Sequence, residues 1–275
     1  MRSIVAPNFG VRHILAAVGD GSRIRRVTAV ADALAEEELK FLARCDGNAQ
    51  WSTPHEPASV PLALKSDLAY AFKDKLSDKD GSARLFYNRL RQAPHGRCPL
   101  CLERDVAALD HYLPKERWHA LALTPGNLYP ICTVCNGIKL AKYASTEEDQ
   151  FLHPYFDDLG DDDWLSADLA EVPGAPLSFS IEAPARWGET LATRVRKHFE
   201  LFQLGDLYRD RAVTLLSSHQ VFFTNIYSTA GSEALRQTLL ELAESYKESR
   251  LSQWPSVAMR QWAASDWFCD GRWAP

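Results

Sequence analysis

Six cysteines stand at positions 45, 98, 101, 132, 135 and 269, and four of them form two C-x-x-C pairs, Cys98-Pro99-Leu100-Cys101 and Cys132-Thr133-Val134-Cys135. Two such pairs supply four soft thiolate ligands, enough to close a tetrahedral zinc site at Zn–S distances of ~2.3 Å. A redox dithiol needs only one pair, set in a βαβ frame that the surrounding pattern does not offer. The spacing therefore predicts a structural zinc held by Cys98, Cys101, Cys132 and Cys135. A closed four-cysteine site leaves no open coordination position, so this ion holds the fold and does no chemistry. Cys45 and Cys269 have no partner in the pattern and read as structural.

Between and just after the pairs lie Leu109-Asp110-His111, Pro125-Gly126-Asn127 and Asn136-Gly137-Ile138-Lys139. An imidazole transfers protons near neutral pH, and carboxylate and amide oxygens are hard ligands suited to a divalent cation. In order, spacing and residue type, Cys98 to Lys142 resembles the HNH endonucleases, also called ββα-metal or His-Me finger nucleases. That resemblance covers about 45 residues and implies a metal-dependent hydrolysis of phosphodiester bonds in DNA. By the same resemblance His111 is the general base for water. Asp110 and Asn136 hold a catalytic Mg²⁺ or Mn²⁺, and Asn127 pins the loop between two strands so that the base is oriented. Position 136 is Asn where many members carry a final His, an H-N-N variant. Lys139 follows Asn136 by three residues on a helix and Lys142 continues that face, so both are expected to contact phosphate. Lys115 and Arg117, in the loop between the strands, are expected to meet the nucleic-acid backbone.

The elements that must position these residues follow from periodicity. The expected fold class is α+β and mostly helical, with a small ββα-metal core flanked by helical segments. Strong helix formers over 27–45 predict one helix, Ser66-Asp67 caps another through Leu76, and Ser82 opens a third through Leu90. Residues 144–175 read as an acidic connection, followed by one strand at Leu177–Ile181 whose partner is not evident from the pattern. Helices follow from Leu191 to Phe202, from Asp206 to Ile226, from a cap at Ser232, and from Trp254-Pro255 to Trp262. Trp254, Trp262, Trp267 and Trp273 are expected to clamp the C-terminus. The implied divisions are 1–83, 84–145, 146–190 and 191–275.

Composition bounds the function classes. At 275 residues, 46% hydrophobic and 24% charged, the chain has ordinary globular proportions, and a net charge of −5 excludes a globally basic nucleic-acid coat. Charge is local instead: nine basic residues against four acidic between Arg84 and Lys142, then eleven acidic residues and no Lys or Arg between Tyr143 and Glu182. A basic window suits a phosphate backbone, and the acidic stretch beside it is expected to screen nonspecific binding or to autoinhibit the nuclease. Ile14 to Val18 is too short for a signal-peptide core, and no run reaches the ~18 apolar residues of a membrane span, so a cytoplasmic protein is expected. Expected partners are DNA, a second copy of the chain, or a regulatory protein such as an ATPase, in the setting of bacterial antiviral defence or a mobile element. The other readings are an RNase of the same fold and a catalytically silent, zinc-stapled adaptor that binds nucleic acid or protein.

Overall fold

A computed structural model describes residues 3–249 and 251–273. The chain is α+β and mostly helical, and it divides once, into compact units 1–160 and 161–275. No boundary falls at 83 or 145, because the N-terminal helices and the cysteine-flanked segment share an apolar core in which Val11, Ile14, Leu34 and Leu68 pack with Leu109, Leu123 and Leu128.

Among the described residues of the first unit, five α-helices precede the cysteine segment: α1 (Val11–Ala17), α2 (Ser22–Thr28), α3 (Ala31–Asp46), α4 (Lys65–Tyr70) and α5 (Arg84–Leu90). The single helix expected over 27–45 is broken between α2 and α3. In α3 the buried face carries Leu34, Glu37, Glu38, Phe41 and Cys45, whereas Leu39 is exposed. Glu38 is buried because both of its carboxylate oxygens accept the Val11 N–H at the start of α1, a donor that α1 itself leaves unsatisfied. Helix α4 runs into a π-helical turn, Ala71–Leu76, which carries Phe72. Then β1 (Ala108–His111) pairs antiparallel with β2 (Leu128–Ile131), Asp110 opposite Tyr129 and His111 opposite Leu128, and α6 (Thr133–Lys139) follows.

The second unit opens with a hairpin. The strand β3 (Leu165–Leu169) pairs antiparallel with β4 (Leu177–Ile181), from Leu165 opposite Ile181 to Leu169 opposite Leu177. The acidic stretch therefore contains the partner strand, and Leu165 and Ala167 bury alternate positions against one face. Helices α7 (Glu189–Leu201), α8 (Leu204–Ser249), α9 (Trp254–Ala264) and α10 (Asp266–Cys269) complete it. Helix α8 is interrupted at Gly231, whose φ of 83° and ψ of −178° lie outside the range of other residues. The ring of Phe268 stacks between Trp262 and Trp273, centroids 5.5 and 5.0 Å away. Trp267, expected in this clamp, is only half-buried. Among the described residues, no helix is long and apolar enough to cross a membrane.

Candidate active site and metal centre

The first cysteine pair sits in a tight turn. The Cys98 N–H donates to the Arg104 carbonyl at 2.8 Å, the Leu102 N–H to the Cys98 carbonyl at 2.7 Å, and Leu102 takes φ +56° to reverse the chain. The second pair opens α6, where the Cys132 sulfur accepts the Cys135 N–H at 3.3 Å; the Cys101 sulfur likewise accepts the Arg104 N–H at 3.5 Å. All four sulfurs are buried and lie within 4.8 Å of one another. A tetrahedron with ~2.3 Å arms has edges of ~3.8 Å, so the donors and spacing fit a metal ion such as zinc. Hydrogen bonds shared with Cys101 push the Cys98 and Cys135 thiols above their ordinary range and hold Cys132 well below it. Full ionisation of four crowded thiols needs a cation among them.

His111 ends β1 and is 3% exposed. Its Nε2 lies 2.9 Å from the Ala122 carbonyl oxygen. A carbonyl only accepts, so Nε2 carries the proton and Nδ1 keeps the lone pair. Burial lowers the imidazole pKa to about 4; the Ala122 carbonyl and Asp110 act in the opposite direction, while Lys115 and Lys139 reinforce the fall. The ring of Phe72 meets the imidazole edge to face, centroids 4.5 Å apart.

Ala122 is held in place by the loop that joins the strands. Asn127 is fully buried: its Oδ1 accepts the Leu113 N–H at 2.8 Å, and its Nδ2 donates to the Leu113 and Leu121 carbonyls at 3.0 and 3.3 Å. One side chain thus ties both ends of the loop together. Trp118 Nε1 donates to the Thr53 carbonyl at 2.9 Å and His119 Nε2 to the Val60 carbonyl at 3.1 Å, fastening the loop to the segment after α3. Gly126 makes a close approach: a Cβ there would lie 2.6 Å from a methyl of Leu42 in α3, which would have to shift.

Asp110 points to the opposite face of β1 from His111, as adjacent strand residues must. Its carboxylate is paired with Lys139, Nζ to Oδ2 at 3.1 Å. Lys139, expected on the solvent face of α6 beside phosphate, is instead 0% exposed. The physical reason is helical phase: Lys139 lies four residues after Cys135 and shares its buried face, while Asn136 is half-buried and Thr133, Val134 and Gly137 are exposed. Burial lowers the ammonium pKa against the pull of Asp110. Lys142 is exposed, its Nζ donating to the Ile138 carbonyl at 2.7 Å. Lys115 pairs with Glu116 at 2.9 Å and lies over the Phe72 ring, and exposed Arg117 stacks on Tyr143 at 4.6 Å. The structure thus gathers Asp110, His111, Asn127 and Lys139 on and around one hairpin, with Lys115 at its edge. Ala122 and Phe72 were not visible as site residues in the sequence: one contributes only a backbone oxygen, the other lies 39 residues upstream of His111.

The acidic stretch spends two of its charges inside the second unit. Asp162 pairs with Arg186, and Asp163 with Lys247 at 3.1 Å and Arg260 at 3.7 Å.

No family model matches the chain, and no solved structure matches it. Among curated proteins it is similar to Protein ea31 of Escherichia phage lambda, 29% identical over 202 residues, an alignment covering 68% of each chain.

Proposed function

We propose that the chain is a metal-dependent endonuclease of the HNH type that hydrolyses phosphodiester bonds in DNA, with zinc as the structural ion of the four-cysteine cluster. The observation that carries this reading is the state of His111: an imidazole fixed through Nε2–H to Ala122, with Nδ1 as its free base, on a hairpin followed directly by the helix that bears Asn136. The neutral Nδ1 takes a proton from water as the oxygen attacks phosphorus, and the Ala122 carbonyl stabilises the imidazolium that forms. Asn127 keeps that carbonyl in place. Asp110 and Asn136 are the oxygen donors for a Mg²⁺ or Mn²⁺ ion, which when bound neutralises charge on the phosphate and the leaving oxygen. Lys142, Lys115 and Arg117 are the cations available to the nucleic-acid backbone around the site, and a regulatory protein or a second copy belongs to this reading as a partner. The phage source of its relative favours a mobile-element setting over cellular defence.

The test is cleavage of supercoiled plasmid by the purified chain with and without Mg²⁺ or Mn²⁺, beside His111→Ala and Asn136→Ala, after zinc content has been measured. Metal-dependent nicking that disappears in His111→Ala is the expected result. The depth of His111 beneath Phe72 favours one alternative, a zinc-stapled adaptor that binds without cutting. Intact plasmid and intact RNA in every metal, from a protein that still binds nucleic acid, would establish the adaptor; cleavage of RNA alone would make the chain an RNase.

A further inference from the structure

A lysine with no exposure at all, facing one carboxylate, is an expensive arrangement. Removing an ammonium and a carboxylate from water costs more than their attraction commonly returns, so a buried pair is weak evidence for stability. Such a pair is better explained by what it does to the position of its members. Lys139 Nζ lies 3.1 Å from Asp110 Oδ2, 5.9 Å from the ring centre of Phe151, and 3.4 Å from the Leu140 carbonyl, to which it donates. Asp110 Oδ2 is itself sealed from solvent and has no hydrogen-bond donor beyond this ion contact among the described residues. The Asp110 side chain nevertheless keeps 19% of its surface, and Oδ1 is not among the buried, unpartnered atoms. The two oxygens are therefore different: Oδ2 is sealed inward against Lys139, and Oδ1 is not.

The geometry points to Lys139 as a positioning residue that grips Asp110 Oδ2 from inside the fold and presents Oδ1 as the one carboxylate oxygen available to a divalent cation. This inference rests on the nuclease reading above. In it, α6 has two tasks: Asn136 offers an amide oxygen on its half-exposed side, and Lys139, on the buried side, fixes the carboxylate of the neighbouring strand. The sequence expectation of a phosphate contact is replaced by a contact one step removed from substrate. Groups that orient a metal-binding carboxylate typically change metal affinity by about 10–100-fold when removed.

The experiment measures Mn²⁺ binding by the loss of the free-ion EPR signal, on the zinc-loaded full chain, beside plasmid nicking as a function of Mn²⁺ concentration. Asp110→Asn marks the site by abolishing binding. Lys139→Met, of similar length and without charge, is expected to weaken Mn²⁺ binding about 10–100-fold, with nicking recovered by raising Mn²⁺. Circular dichroism and zinc content report whether that variant folds. If it does not, Lys139→Arg carries the test, because it keeps the charge while altering the reach, and Mn²⁺ binding must again weaken. Unchanged Mn²⁺ affinity in a folded Lys139 variant overturns the proposal, whether or not nicking falls. A wild-type chain that neither binds Mn²⁺ at Asp110 nor nicks DNA brings down the nuclease reading and this inference with it. A wild type that does both while Lys139→Met matches it brings down the inference alone.

Discussion

His111 is a base whose environment favours its neutral form, and that has two consequences with a definite sign. Burial lowers its folded pKa to about 4 from an ordinary 6.5. Between those values the unfolded chain binds a proton that the folded chain refuses, so stability rises with pH across the window. The contribution is fully present above about pH 6.5 and is lost as the pH falls to about 4, a difference on the order of 3 kcal/mol. Urea melts of wild type and His111→Gln should therefore converge or cross toward low pH, with wild type losing its share between pH 6.5 and 4; a pH-independent difference would show that the imidazole is not held neutral. On the proposed nuclease function, catalysis follows the same proton. Nicking should persist to about pH 5 and fall only near pH 4, whereas an exposed histidine would switch off near 6.5.

At the scale of elements, the hairpin loop and the helix break carry separate predictions. Asn127 makes three hydrogen bonds to buried backbone groups, so Asn127→Ala strands one N–H and two carbonyls and should cost about 2–4 kcal/mol. It should also lower nicking by releasing Ala122; a variant of wild-type stability with full activity would remove Asn127 from the site. In α8, a Cβ at Gly231 would meet nothing within 4 Å, so any loss in Gly231→Ala comes from the backbone alone. It is expected at about 1–3 kcal/mol in chemical denaturation. Much of this was legible in the sequence. The start of the helix at Trp254 follows from its proline and the cysteine cluster from spacing alone, whereas Ser66 and Asp67, expected as a cap, lie inside α4, where Asp67 pairs with Arg26. Ser232, expected as a helix cap, instead donates its hydroxyl to Asp270, and the break is made by Gly231 at positive φ before it. The strand β3 was hidden because its Leu-Ser-Ala-Asp-Leu alternation sits in an acidic stretch that reads as a connector. The spacing from Asn136 puts Lys139 on an exposed face, but its spacing from Cys135 puts it on the buried one, and the cysteine defines that face. What the sequence could not carry were contacts from afar, such as Phe72 on His111 and the Leu42 methyl close to Gly126.

For the whole molecule, the division at Gly160 and Asp161 separates two ways of holding a fold. The unit before it builds a core around short elements and gathers four thiols that fit a metal ion; the unit after it relies on a hairpin, long helices and the stacked rings of Trp262, Phe268 and Trp273. Structural zinc contributes about 10–16 kcal/mol of apparent binding free energy in zinc-finger peptides, more than most domains have in total. Removing the metal should therefore strike one unit and spare the other. Calorimetry of the native chain with and without a strong chelator is expected to show the loss of one transition while a second survives. Hydrogen exchange should then become fast over 97–139 and stay slow over the buried helical positions of α8 and α9. If a single transition moves as a whole on chelation, the two units unfold together and the cluster supports the entire chain. If neither transition moves, the four cysteines hold no metal that matters to the fold, and the hairpin bearing Asp110 and His111 must then be held by its apolar core and the Asn127 clasp alone.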